Sequence, residues 1–244
     1  MKLEEEKYCP AEIHMENCLI PGEEHIRKRV ACEDILYIRE EPELCFYGLA
    51  DGQSGKTRGP EGGRACLQRI ADFIIRHGIG YLEDYPFPDE LSFLLMKEIR
   101  AELGRLAEQQ GEFSDYSSTL VCIAAEPETG RCMYIHLGDG CIIGVRQDRS
   151  LSMVSAPENG MTQYHTWLTT TSRAAEHLRV RFGSMKQMRR LVMLTDGAEQ
   201  VCRGKNILKQ SRDLLTRGSR QELIKFLESA GHRDDVGCVV LDLL

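Results

Sequence analysis

Three apolar runs in this chain end in the same way. Phe46-Tyr-Gly-Leu-Ala closes on Asp51-Gly52, Met133-Tyr-Ile-His-Leu-Gly on Asp139-Gly140, and Leu191-Val-Met-Leu-Thr on Asp196-Gly197. Two acidic pairs flank further strand-like runs: Glu33-Asp34 precedes Ile35-Leu, and Asp234-Asp235 opens Val236-Gly-Cys-Val-Val-Leu. A carboxylate at a strand end puts an oxygen at the rim of a sheet, and a following Gly lets the backbone approach a ligand closely. Carboxylates converging on one rim would repel one another unless something positive sat between them. A pair of hard divalent cations, Mg²⁺ or Mn²⁺, suits such an all-oxygen donor set.

The 244 residues suffice for one large domain with a substantial core or for two small ones. The formal net charge of −7 disfavours a nucleic-acid partner and an anionic membrane surface. No apolar run approaches the roughly 18 residues that span a bilayer. The opening Met-Lys-Leu-Glu-Glu-Glu-Lys is polar and acidic, unlike a secretory signal, so the expected location is cytoplasmic. The ten cysteines form no Cys-x-x-Cys pair, and several lie inside apolar runs; they read as reduced, buried small hydrophobes. The seven histidines show no ligand spacing and read as surface or internally satisfied side chains.

Ile35–Arg39 and Leu44–Leu49 flank a Glu-Glu-Pro turn and predict a hairpin. A glycine-rich loop follows, then a helix from about Glu61 to His77 that stops at Gly78. Asp89 has the chemistry of an N-cap for a second helix reaching Gln110. Strands are expected at 118–125, 131–137, 141–146 and 151–155 as an antiparallel meander. A short helix is expected near 172–182, then the Asp196 strand, helices near 205–216 and 219–230, and a final strand 236–243. Helices group in pairs and strands in antiparallel runs. That order argues an α+β fold with helices outside a sheet sandwich, in one domain spanning 1–244.

Ala50-Asp-Gly-Gln-Ser-Gly-Lys56-Thr57 fits a loose phosphate-binding loop pattern. Such a loop needs a helix starting at Lys-Thr, with its N-terminus facing the phosphates. Here three glycines and a proline follow, which argues against helical first turns, and the antiparallel strands do not suit a parallel-sheet nucleotide-binding fold.

In their order along the chain, the acidic motifs resemble those of the metal-dependent serine/threonine protein phosphatases of type 2C. Arg29-Val-Ala-Cys-Glu33-Asp34 resembles the family's Arg-x-x-x-Glu-Asp element, and Asp51-Gly52, Ser117-Ser-Thr-Leu, Gly138-Asp139-Gly, Thr195-Asp196-Gly and Asp234-Asp235 resemble its later ones. The resemblance implies a four-layer αββα sandwich with two antiparallel sheets flanked by helix pairs. It implies that Asp51 bridges two Mg²⁺ or Mn²⁺ ions and that Gly52 lends its carbonyl oxygen. Glu33 would help hold one ion, mostly through water, and Asp196 and Asp234 the other. Asp139 with Asp196 could take a third, weaker ion. Asp34 would accept a hydrogen bond from a metal-bound water, and Arg29 would grip the substrate phosphate. A flap over 156–187 would influence substrate choice. The implied partners are a phosphorylated protein substrate and a Ser/Thr kinase, with the chain acting as a monomer.

The chemistry matches the residue types. Two cations about 3.5–4 Å apart activate a bridging water and clamp the oxygens of an in-line displacement. A guanidinium fork donates two parallel hydrogen bonds to phosphate. One position departs from the family: many members carry a His after Asp-Gly as proton donor to the leaving alkoxide, and here it is Gln53. General acid catalysis is worth about 10²–10⁴-fold. A slow enzyme, or an inactive relative serving as a binding module, is therefore the second reading. Asp235 in place of the common Asn is expected to add negative charge beside the ions.

Overall fold

The protein is described by a computed structural model covering residues 12–159, 165–203 and 208–244. Ten strands form two antiparallel five-stranded sheets. The first sheet holds β1 (Ile13–Ile20), β10 (Val236–Leu243), β9 (Met188–Leu194), β6 (Cys141–Arg146) and β7 (Leu151–Ser155), in that spatial order. The second holds β2 (Asp34–Glu40), β3 (Cys45–Asp51), β4 (Leu120–Glu126), β5 (Arg131–Leu137) and β8 (Arg179–Ser184). Helices α2 (Gly59–His77) and α4 (Pro88–Gln109) cover the second sheet, with the short α3 (Ile79–Glu83) between them in sequence. Helices α6 (Asp196–Arg203), α7 (Leu208–Arg217) and α8 (Arg220–Ser229) cover the first. Two short helices remain, α1 (Glu23–Lys28) and α5 (Ala174–His177).

Strand alternation builds the layers. Phe46 on β3 packs towards α2, while its neighbour Tyr47 faces the other sheet; both are fully buried. On β10, Val239 faces the inter-sheet core and Val240 the helices of the first sheet. Period-two patterning on strands buried on both faces thus yields three apolar cores and four layers. On α2, Leu67, Ile70, Ala71 and Ile74 recur at helical spacing and are buried. Each of the Leu and Ile side chains contributes roughly 1.5–3 kcal/mol through burial.

The hairpin forms as expected, with Asp34 opposite Asp51 in the register of β2 and β3. The meander does not. β4 pairs with β5 in one sheet and β6 with β7 in the other, so the Gly138-Asp139-Gly140 turn crosses between sheets. The helix expected over 172–182 shrinks to Ala174–His177 and gives way to β8, because Val180 and Phe182 alternate inwards onto the second sheet's core. The stretch Gly59–Gly63 is helical after all. Pro60 occupies the first turn, where its missing N–H costs little, and Gly62 and Gly63 let α2 close on Tyr116 and Ala50. α4 begins at Pro88 with Phe87 as its N-cap. All nine described cysteines are free; Cys9 lies outside the described residues. Among the described residues, no helix is long and apolar enough to cross a membrane.

Candidate active site

The acidic residues singled out in the sequence come from both sheets and meet at one end of the sandwich. Asp51 ends β3, Asp34 starts the neighbouring β2, Asp196 starts α6 straight after β9, Asp139 lies in the β5–β6 crossing, and Asp234 precedes β10. Burial pushes the Asp51 carboxyl well above the usual range, and the charges of Asp34, Asp196, Asp234 and Asp139 push it further. Asp34, itself buried, is raised by burial and by Asp235, Asp196 and Asp234, against a hydrogen bond from Thr195. Burial and the nearby Asp139 and Asp234 lift Asp196 to about 7. Glu33 is raised by burial foremost, against the pull of His25.

Short polar contacts hold these groups in place. The Asp51 N–H donates to Thr119 Oγ1 at 3.0 Å, and the Asp51 carbonyl accepts from the Thr119 N–H at 2.9 Å. The Gly52 N–H donates to the Glu33 carbonyl at 3.2 Å, so the two segments are stitched together. Thr195 Oγ1 donates to Asp34 at 2.8 Å and accepts from the Gly237 N–H at 2.8 Å, linking one sheet to the other. Asp196 Oδ1 accepts from the Gly197 N–H at 2.7 Å. A Cβ on Gly197 would overlap the Asp235 carbonyl oxygen, which explains that glycine by close packing.

Asp235 puts its charge beside Asp34 and Glu33 and is also tied into the scaffold. Its carboxylate accepts from the Gly22 N–H at 2.6 Å, the Glu33 N–H at 2.5 Å and His25 Nδ1 at 2.7 Å. Burial alone would raise it, but these hydrogen bonds outweigh burial and hold it below the usual carboxylate range. It is a clamp joining β10, α1 and the entry to β2. His25 is the partner side chain that the sequence did not flag for this site. Its Nε2 lies 3.6 Å from Glu33 Oε2, and the bond to Asp235 raises its pKa.

Beside the cluster opens a cleft of about 640 Å³ lined by His25, Arg27, Ser54, Gln200, Arg233 and Asp234, with Glu23 and Glu24 at its edge. Arg29 caps the C-terminus of α1 at φ 58° with its side chain exposed, and the cleft's guanidinium groups are Arg27 and Arg233. Gln53 is exposed, its N–H bonded to the Ser117 carbonyl at 3.0 Å. Lys56, the lysine of the phosphate-loop pattern, bonds Ser114 and lies 3.7 Å from Asp115.

Whether a cation suits these residues is answered by their chemistry. The donors are hard oxygens, they crowd one another, and Asp139 Oδ1 is buried with no hydrogen-bond partner among the described residues. A divalent cation would relieve both conditions. Among the described residues, no three His, Cys, Asp or Glu side chains close on one point as a finished ligand set.

The segment between Asp139 and Asp196 packs against the same end. Ser118 N–H donates to Thr169 Oγ1 at 3.2 Å, and Ser117 Oγ and Thr170 Oγ1 lie 2.5 Å apart. Trp167 stacks on His177 with ring centroids 3.6 Å apart, and His177 Nδ1 lies 2.7 Å from Glu158. Residues 160–164 of the expected flap lie outside the described residues, and its C-terminal part, β8, is an integral sheet strand.

With this geometry in hand, comparison with known proteins is decisive. The sequence profile of the family described as protein phosphatase 2C matches residues 21–236. The chain belongs to the protein phosphatase 2C family. That places it among the protein serine/threonine phosphatases. Its fold is shared by serine/threonine phosphatase Stp1 from Staphylococcus aureus, at 13% identity and TM-score 0.70, covering 96% of each chain. It is shared by the catalytic domain of serine/threonine protein phosphatase PstP in complex with two manganese ions, at 20% identity and TM-score 0.61, covering 95% of this chain and 98% of that one. PppA, a regulatory component of the type VI secretion system (T6SS) in Pseudomonas aeruginosa, matches at 15% identity and TM-score 0.60, covering 97% and 99%. No curated protein matches the chain by sequence.

Proposed function

We propose that this chain hydrolyses phosphoserine and phosphothreonine in a protein substrate, in the cytoplasm and as a monomer opposing a Ser/Thr kinase. The observation that carries the reading is the crowding of Asp51 by Asp34, Asp139, Asp196 and Asp234, which arrive from both sheets and the turns between them. Asp51, the Gly52 carbonyl, Glu33, Asp196 and Asp234 would hold two Mg²⁺ or Mn²⁺ ions, with Asp139 and Asp196 available to a third. When bound, such ions supply an activated water and charge neutralisation for phosphoryl transfer.

The chain's own residues supply the rest. Asp34, fixed by the Thr195 hydroxyl, offers a buried acceptor that can orient a water or take its proton. The Thr119 contacts fix the Asp51 backbone, and the Asp235 clamp fixes the wall of the cleft. Position 53 offers an amide, which cannot protonate a leaving alkoxide.

The test is hydrolysis of p-nitrophenyl phosphate and of a phosphothreonine peptide with Mn²⁺, Mg²⁺ or EDTA, alongside Asp51→Asn. Metal-dependent turnover of both, lost in the variant, is expected. Turnover unaffected by Asp51→Asn would sink the reading. The second reading, a catalytically weak or inactive binding module, is favoured by Gln53 alone; it requires metal binding by calorimetry with no turnover of either substrate.

A further inference from the structure

We infer that Arg233 is a further residue that receives the substrate's phosphoryl oxygens, an inference that rests on the phosphatase reading above. It starts from the cleft. Two guanidinium groups line it, Arg27 and Arg233. Arg27 is engaged with Glu24 at 3.3 Å on the exposed face of α1, and the imidazole of His25 is committed to Asp235. Arg233 has no hydrogen bond or ion pair to any described residue, is exposed to the cleft, and precedes the cluster carboxylate Asp234 in the chain. It is the cleft's uncommitted cation.

Its backbone is fixed on both sides. The His232 carbonyl accepts from the Glu23 N–H at 3.2 Å, and Asp235 takes the N–H of Gly22 at 2.6 Å. The Asp235 N–H bonds Asp234 Oδ1 at 2.9 Å. Gly22 packs so closely on the Arg233 carbonyl that a Cβ there would stand 2.6 Å from it. The segment 232–235 is thus pinned to the start of α1, and Arg233 extends into the cleft from a rigid base. The pinned backbone leaves only the side chain to be ordered when an anion arrives, and the planar fork matches two phosphoryl oxygens. Arg29, to which the family resemblance gives a phosphate contact, stands at the other end of α1 with an exposed side chain, so the two guanidinium groups start from different places.

The experiment compares Arg233→Ala, Arg233→Lys and Arg29→Ala for p-nitrophenyl phosphate hydrolysis and for inhibition by inorganic phosphate, in saturating Mn²⁺. For Arg233→Ala the expected result is a KM and a phosphate inhibition constant that rise together, about tenfold to a hundredfold, with kcat within a few-fold of the parent. Arg233→Lys should fall between, keeping the charge but not the fork. Unchanged KM and phosphate inhibition in Arg233→Ala overturn the inference, as does a loss confined to kcat; Arg29→Ala gives the scale of the contact that the family resemblance implies. If the parent protein shows no turnover, calorimetry with inorganic phosphate and Mn²⁺ takes over. Phosphate binding lost in Arg233→Ala would then support the anion site while the phosphatase reading fell; phosphate binding indifferent to Arg233, or absent from the parent, would overturn the inference.

Discussion

Strand β10 has an acidic residue at each end, and the two ends are built in opposite ways. Near its C-terminus, Asp242 takes the Arg190 guanidinium at 2.5 and 3.1 Å and Arg220 at 2.8 Å. Arg190 is itself buried and gives its remaining donors to the carbonyls of Leu214, Leu215 and Gly218. The carboxylate is fully paired there, and the knot ties β9 and β10 to the α7–α8 turn. At the other end, Asp234 joins Asp51, Asp34, Asp139 and Asp196, where burial foremost, and then mutual repulsion, raises the pKa values of Asp51, Asp34 and Asp196. One end is finished by the chain itself; the other is the end proposed above to take cations. Paired carboxylates mark scaffold in this protein, and crowded ones carry the proposed chemistry.

The comparison breaks most directly at Asp51. Asp51→Asn should lower metal-dependent hydrolysis about 10³-fold or more, while raising the melting temperature of the metal-free protein, since it removes one of the mutually repelling carboxylates. A lower melting temperature in EDTA would mean that the cluster is not strained in the way described. Arg190→Ala should do the reverse. Leaving Asp242 short of a partner at a buried site costs about 3–5 kcal/mol in urea denaturation, and the surviving folded protein should keep its KM.

A smaller effect concerns His136, a buried histidine on β5 whose Nδ1 lies 2.7 Å from Ser155 Oγ and 2.8 Å from Arg179 Nη2. Burial, then the charge of Arg179, lowers its pKa to about 3. The unfolded chain takes up the proton near pH 6.5 and the folded chain does not, so stability falls as pH drops from about 6.5 towards 3. The slope from this group is at most about 1.4 kcal/mol per pH unit. His136→Gln should flatten that part of the stability–pH curve; an unchanged slope would assign it to other groups. The smallest change is at the N-cap of α8, where Ser219 and Glu222 form a reciprocal capping box with bonds of 3.2 and 2.7 Å. Ser219→Ala should cost about 1 kcal/mol with no effect on turnover, because this helix backs the paired end.

Much of this division was readable in advance, and the exceptions have physical reasons. Asp-Gly at the end of an apolar run marks a strand reaching a rim, so Asp51, Asp139 and Asp196 were legible one by one, and their order suggested a common rim. The partner of each strand was not legible. The Gly138-Asp139-Gly140 turn has hairpin composition, yet it crosses between sheets because β6 completes the first sheet against β9. Helix α6 was hidden because it opens on Asp196-Gly197, a poor helical start tolerated where Gly197 must pass the Asp235 carbonyl. The tie of Asp235 into the scaffold depended on α1, a helix too short to be read from periodicity and visible only through what it bonds.

Trp167 is the single tryptophan of the chain. It sits flat against His177, one residue from Thr166, whose hydroxyl neighbours the Gly138–Asp139 turn. All indole emission from this protein therefore originates at one corner, next to the acidic rim and on the segment that braces Ser117 and Ser118. Metal titration, substrate arrival or undocking of that segment can be followed optically in the unlabelled chain, with no background from any other tryptophan.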